Sequence, residues 1–220
     1  MNHAILAWSA GVGLLAAAGC SGTVPGQRGR PEQGVSAIIV GGRFTVPTGE
    51  TLSGELSVNL DGEGAYADAS YRIPIRPHQS LLYQVEPGTY RIAPTRDIFG
   101  THQPLLRIKI EGRDYRVPFP RDILRKAALE LKPKKILTVG TFAVELQPAL
   151  PGRPPIVTLR LDDSIATRRQ LVQDVIREMM DPGAPPAGQE NAIAWARALQ
   201  STLMELASET GRGALYKSAP

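Results

Sequence analysis

Cys20, the single cysteine in 220 residues, and the three histidines His3, His78 and His102 are the side chains best suited to nucleophilic or metal chemistry. His78 and His102 sit in "RPHQS" and "GTHQP", turn-like stretches next to a proline. A histidine in such a loop reads as a solvated polar residue. Neither has acids at ligand spacing, so a zinc site is not expected. A G-x-S-x-G nucleophile elbow and an H-E-x-x-H helix are both missing from the sequence, and with them the common hydrolase and metalloprotease arrangements.

The acids offer two groupings. Asp162-Asp163 is an adjacent pair before the pattern "SIATRRQLVQDVIREMM". Neighbours in sequence rarely face one another, so general acid and base work is the weaker use. At a strand-to-helix junction such carboxylates accept hydrogen bonds from orphan amide N–H groups and offset the helix dipole. Asp61, Glu63 and Asp68 in "LDGEGAYAD" supply oxygens for calcium, but their spacing fails the EF-hand loop; a polar hairpin turn is expected there. Gly41-Gly42 has no following Lys-Ser/Thr and makes no phosphate cradle. The expectation is a chain without catalytic residues, metal or cofactor.

Cys20 therefore needs another explanation. Ala4–Ala18 carries no charge and ends in Ala17-Ala18-Gly19, the small residues of a secretory cleavage site. At ~1.5 Å per helical residue the run falls well short of the ~30 Å hydrocarbon core, which argues against a permanent span. A cysteine directly behind small residues resembles the lipobox of bacterial lipoproteins. That resemblance implies cleavage between Gly19 and Cys20 and a lipid on the Cys20 thiol. Ala17 departs from the family pattern, where an aliphatic is usual, and the segment lacks the customary Lys or Arg. An acylated Cys20 is an anchor and cannot be a nucleophile. An unpaired cysteine in an exported chain calls for such a role, and several acyl chains hold a membrane more firmly than one. Ser21 after the anchor fits outer-membrane sorting, with the protein facing the periplasm.

The chain carries 25 basic and 21 acidic residues, net +4. The basicity is concentrated: Arg107 to Lys135 holds ten Lys or Arg against four acids. Such a region suits anionic headgroups or lipopolysaccharide phosphates, or is simply the solvated face of alternating strands. Nucleic acid is not expected as a partner, because aromatics make up 5% of the chain and form no stacking cluster.

The elements that would position these residues follow from periodicity. Residues 1–19 are the expected signal and 20–34 a Gly/Pro-rich tether. Residues 35–161 carry period-2 patterns: Leu56, Val58, Leu60; Ala69, Tyr71, Ile73, Ile75; Leu106, Ile108, Ile110; Tyr115, Val117, Phe119; Phe142, Val144, Leu146; and "PPIVTLRL". Pro74 places its strand at an edge. Glu86-Pro87-Gly88-Thr89 suggests a type II turn joining Leu81–Val85 to Tyr90–Ile92 as a hairpin, and Glu111-Gly112-Arg113-Asp114 suggests a second, joining Leu106–Ile110 to Tyr115–Phe119. Seven to nine short strands predict an antiparallel β-sandwich. The "PGTY" turn, with the later "KKILTVGTF" strand, resembles transthyretin-like and PEGA-like modules, which implies a non-catalytic accessory domain.

Helical spacing is expected over Arg121–Leu131, after Asp162-Asp163-Ser164, and over about Gln189–Ser208, the last two forming a C-terminal helical pair within 162–210 before a tail at 211–220. Trp195, Leu199, Leu203 and Leu206 form one apolar stripe, available either to pack on the protein's own core or to bind an envelope partner. Three functions are consistent with this reading: a structural or binding lipoprotein without catalysis, an assembly or pilot factor acting through the C-terminal helices, and a cell-wall hydrolase. Ligand, partner and oligomeric state are not encoded legibly.

Overall fold

The computed structural model describes residues 36–77, 80–97, 99–126, 128–151, 154–179 and 189–208. The signal, Cys20, the tether, His78, the breaker at 181–188 and the tail lie outside the described residues.

Among the described residues ten strands form two sheets. The first runs β10 (Ile156–Asp162), β9 (Ile136–Gln147), β1 (Ser36–Thr45), β4 (Ser80–Val85). The second is centred on β2 (Gly54–Gly62), flanked on one side by β3 (Ser70–Ile75). Its other side pairs with β5 (Gly88–Ala93) and β6 (Leu105–Ile110), which continue to β8 (Leu129–Leu131) and β7 (Arg113–Pro118) respectively. The sheets face each other across one core. Ile38, Val40, Phe44, Phe142 and Val144 enter it from the first, and Leu56, Val58, Leu60, Tyr90, Ile92, Leu106 and Ile108 from the second. The expected sandwich with a C-terminal helical pair is present.

β1 shows no alternation in sequence because both of its faces are buried. Ile38 and Val40 point into the sandwich, while Ala37 and Ile39 point outward beneath two helices, α2 (Ile165–Met179) and α3 (Gln189–Ser208). A strand covered on both faces reads as a continuous apolar run. It pairs parallel with β9 and antiparallel with β4, so the sandwich is mixed rather than wholly antiparallel. A bulge opposite Ile39/Val40 lets Val139 and Phe142 of β9, three residues apart, both enter the core.

Two local expectations are overturned. The Pro-Gly turn makes no hairpin: β4 belongs to the first sheet and β5 to the second, so Glu86-Pro87 is a crossover and Gly88 opens β5. Tyr90, buried in the core, donates its hydroxyl to the Glu86 carbonyl at 2.8 Å and ties the corner where the chain changes sheets. Arg121–Leu131 is not one helix. A single turn, α1 (Arg121–Leu124), is followed by β8, whose Leu129 and Leu131 alternate into the core while pairing with β5. Satisfying the backbone edge of β5 outweighs local helix propensity.

Other expectations hold. The second hairpin is present with a tighter turn than expected: Glu111 and Gly112 have φ of 46° and 77°, the two positive values of a type I′ turn, and Arg113 and Asp114 already pair in β7. β3, which carries Pro74, is an edge strand beside β2. The expected turn between β2 and β3 is present but begins later than expected: Asp61 still lies in β2, opposite Ser70, and the turn follows Gly62 with a short 3-10 segment at Gly64–Tyr66.

Candidate functional site

The densest convergence of chemistry-bearing side chains surrounds Asp61. β2 alternates, so Leu60 enters the core while Asp61 faces away from it, opposite Ser70 of β3. Ser70 Oγ donates to Asp61 Oδ1 at 2.6 Å. His102 Nε2 lies 2.6 Å from Oδ2, and Arg96 Nη2 donates to the same oxygen at 3.0 Å. Arg96 and His102 come from the loop between β5 and β6, whose own backbone closes through an Arg96–His102 bridge. Asp97 Oδ1 accepts from the amides of Phe99 and Thr101, fixing the loop tip.

This is a serine, a histidine and an aspartate within reach, but in an order unsuited to nucleophilic catalysis. A hydrolytic triad places the imidazole between hydroxyl and acid, so that it can take the hydroxyl proton. Here the carboxylate stands in the middle, and Ser70 also accepts from Asn59 Nδ2 at 3.2 Å. Burial alone would push the Asp61 carboxyl up; hydrogen bonds from Ser70, His102 and Arg96, with the Arg96 charge, outweigh it and hold the pKa below the ordinary carboxylate range. A carboxylate so stabilised is a poor base. What the cluster does is pin a long loop to the outside of the second sheet. His102 is thus bound to a carboxylate and is not the freely solvated residue expected.

Asp162 and Asp163 part company. Ser164 caps α2, its Oγ accepting from the Thr167 amide at 3.3 Å. Asp162 supports that cap by accepting from the Ser164 amide at 3.1 Å and from Thr167 Oγ1 at 2.7 Å. Burial opposes its charged form, but these bonds and the nearby Arg43 charge hold its pKa below the usual range. Asp163 instead pairs with Lys126. Capping is the role of the first and cross-linking that of the second. The calcium grouping is also dispersed: Glu63 is engaged by Arg91, and among the described residues no three His, Cys, Asp or Glu come together as a metal site.

Two clefts flank α2. The larger, about 540 Å³, runs between the helix and the end of β1 and is lined by Gly42, Arg43, Thr141, Asp174, Arg177 and Glu178, among others. Gly41 lets the helix approach: a Cβ there would lie 2.4 Å from Leu171 Cδ2. Asp174 accepts from Gln170 Nε2 at 2.8 Å and Arg177 Nη1 at 3.1 Å. The smaller cleft, about 300 Å³, lies between β9, α2 and α3 and is lined by Thr138, Arg168, Thr202 and the Lys135–Glu205 ion pair. Arg168 is 1% exposed, a charge carried into the layer between helices and sheet.

The apolar stripe of α3 is spent on the fold. Trp195 is 1% exposed, and with Leu199 and Leu206 it packs against Ala37, Ile39, Ile136 and the α2 residues Leu171, Val172 and Val175; Leu203 packs at the margin. These four residues cover the first sheet in cis, which removes them as a docking stripe. Among the described residues no helix is long and apolar enough to cross a membrane.

Sequence reasoning placed Asp61 in a turn and missed its partners. The only trace was the polar series Ser57, Asn59, Asp61 alternating with Leu56, Val58 and Leu60; Arg96 and His102 arrive from more than thirty residues away.

No protein-family model matches the chain, and no curated protein matches it. Among solved structures it is similar to a candidate cell adhesion protein of Bacteroides fragilis at 13% identity and a TM-score of 0.26, over 60% of this chain and 45% of that one. The chain thus spans less than half of that protein's length, and a similarity so slight carries no argument about role.

Proposed function

We propose that the protein is a lipid-anchored lipoprotein of the bacterial cell envelope, a non-catalytic structural or binding module facing the periplasm from the outer membrane. The observation that carries this reading is the lone Cys20 directly behind an uncharged run ending in Ala18-Gly19. The first described strand, β1, begins at Ser36, after the Gly/Pro-rich residues 20–34 that the sequence reads as a tether. Asp61, Ser70, His102, Asp162 and Asp163 all serve in pins, caps or ion pairs. Burial of the Trp195 stripe counts against a pilot factor that docks through α3. Metabolic labelling with a fatty acid tests the anchor. Wild-type chain should incorporate label and Cys20→Ser should not; equal labelling of the two overturns the assignment.

A hydrolase is the second reading, and one observation favours it: Asp174 and Glu178, one helical turn apart, line the same cleft. Release of peptidoglycan fragments that disappears in Glu178→Gln, with folding intact, would replace the non-catalytic reading.

A further inference from the structure

We propose that the outer face of the second sheet, at the β6–β7 hairpin and the pinned loop beside it, docks on the surface of an anionic phospholipid bilayer. The proposal deepens the anchored reading by giving the domain a second membrane contact, and it rests on that reading for its setting.

The outward side chains of the hairpin are Arg107 and Lys109 on β6 and Asp114 and Arg116 on β7. The register sets Arg107 directly across from Arg116 and Lys109 across from Asp114. Like charges directly opposite one another weaken a sheet, so this pairing is unfavourable for folding alone. Arg107 makes a bidentate bond to Asp114, at 2.9 and 2.6 Å. Glu55 is engaged by Arg76, Glu63 by Arg91 and Asp61 by Arg96, whereas Glu111 at the hairpin tip and Asp97 on the loop accept from backbone amides, of Ser53 and of Phe99 and Thr101 respectively. Arg72, Lys109 and Arg116 have no ion-pair partner among the described residues. Set against Glu111 and Asp97, these three cations leave a modest positive excess, spread over an open pleated surface that matches a plane of phosphates better than one small ligand.

Apolar groups stand beside these cations. The loop between β5 and β6 rides on the same face, because its Arg96 and His102 reach outward-facing Asp61. Its tip carries Phe99, 85% exposed, and an open depression of about 380 Å³ is lined by Pro104, Leu105, Arg107 and Arg116. Cations at headgroup level with an aromatic ring entering the interface form a peripheral membrane contact. A cationic face on a tethered domain adds its own attraction to an anionic surface beside that of the acyl chains.

The test uses the full chain carrying Cys20→Ser, so that no sample is acylated, in co-sedimentation with phosphatidylcholine vesicles and with vesicles containing phosphatidylglycerol. Any contribution of the apolar residues 4–18 is common to both vesicle types and to all variants. The expected result is preferential binding to the phosphatidylglycerol vesicles, declining as salt is raised. Lys109→Gln with Arg116→Gln should weaken that binding about 25-fold, about fivefold for each removed cation. Equal binding to the two vesicle types, or an unchanged double variant, overturns the proposal. So does a stronger, equally variant-sensitive complex with soluble polyglutamate, which would assign the face to an acidic macromolecule. Lipid preference and salt dependence are read on the unsubstituted face, so they decide the matter even if the double variant fails to fold. Fatty-acid labelling at Cys20 is a separate readout, so failure of the anchor and failure of the face are distinguishable.

Discussion

The two sheets share one core, yet their outer faces have opposite fates. The first sheet presents Ala37, Ile39 and Ile136 outward and is covered by α2 and α3. The second presents Arg72, Arg107, Lys109 and Arg116 and is left open apart from one loop held by Asp61. Apolar outward residues demand a cover, and a chain that carries amphipathic helices after its last strand provides it in cis. Cationic outward residues demand none and remain for solvent or for a partner. The covered layer is also the less well satisfied. Thr138 Oγ1 and Trp195 Nε1 are buried there without a hydrogen-bond partner among the described residues, and Arg168 is buried beside them. Buried polar atoms cost stability, so the helical layer should open before the inter-sheet core does.

Substitutions can break this contrast or sharpen it. The largest effect belongs to Trp195→Ala, which removes the main packing residue of the covered face and should cost about 4 kcal/mol in denaturant unfolding. A loss below about 1 kcal/mol would mean that the helices merely rest on the sheet. Next comes Asp61→Asn, which keeps the shape but removes the charge holding Ser70, His102 and Arg96. About 2 kcal/mol should be lost, with faster hydrogen exchange confined to residues 95–103. Its pH dependence has a defined sign. The folded pKa of Asp61 is depressed, so the unfolded chain binds a proton first as pH falls. The stabilisation is complete above the unfolded value of about 3.9 and is lost as pH drops through the folded one. Unfolding curves of wild type and Asp61→Asn should therefore stay a constant distance apart at neutral pH and converge only below about pH 4. Convergence near neutrality would mean that another group drives the difference.

A smaller effect is expected from Gly41→Ala, whose Cβ would meet Leu171 of α2. Displacing that side chain should cost about 1–2 kcal/mol, and hydrogen exchange should show the helical layer loosened while β2 and β6 stay protected. At the bottom of the scale stand Lys109→Gln and Arg116→Gln on the open face, which should leave the unfolding midpoint unmoved or, for Arg116→Gln, slightly raised as the Arg107–Arg116 juxtaposition is relieved. A clear destabilisation there would show that the cations serve the fold, and the contrast between the faces would dissolve.

What could be read in advance was whatever depends on a few consecutive residues. The hairpin around Gly112 was legible from its glycine between two alternating runs, though its turn is two residues rather than the four expected. The stripe of α3 is a 3.6-residue period over twenty residues, and its bounds at Gln189 and Ser208 were legible. The Asp162-Asp163-Ser164 sequence signalled a helix start, though which oxygen bonds which amide was not evident. The candidate site was hidden because its members are joined by strand pairing and loop closure rather than by spacing. Asp61 meets Ser70 across one register and His102 across another element altogether.

The sequence by itself determined the periods, the turns, the excess of cations between Arg107 and Lys135, and the position of the one cysteine. Only the tertiary structure decided that β4 and β5 lie in different sheets, that Leu129–Leu131 is a strand, that β1 runs parallel to β9, and that Trp195 faces inward. The physical reason is that turn angles and side-chain periods are local energies, fixed within a few residues. The choice of neighbour among several strands of equal period is settled by which arrangement buries the most apolar surface and pairs the most backbone at once, and that sum runs over the whole chain.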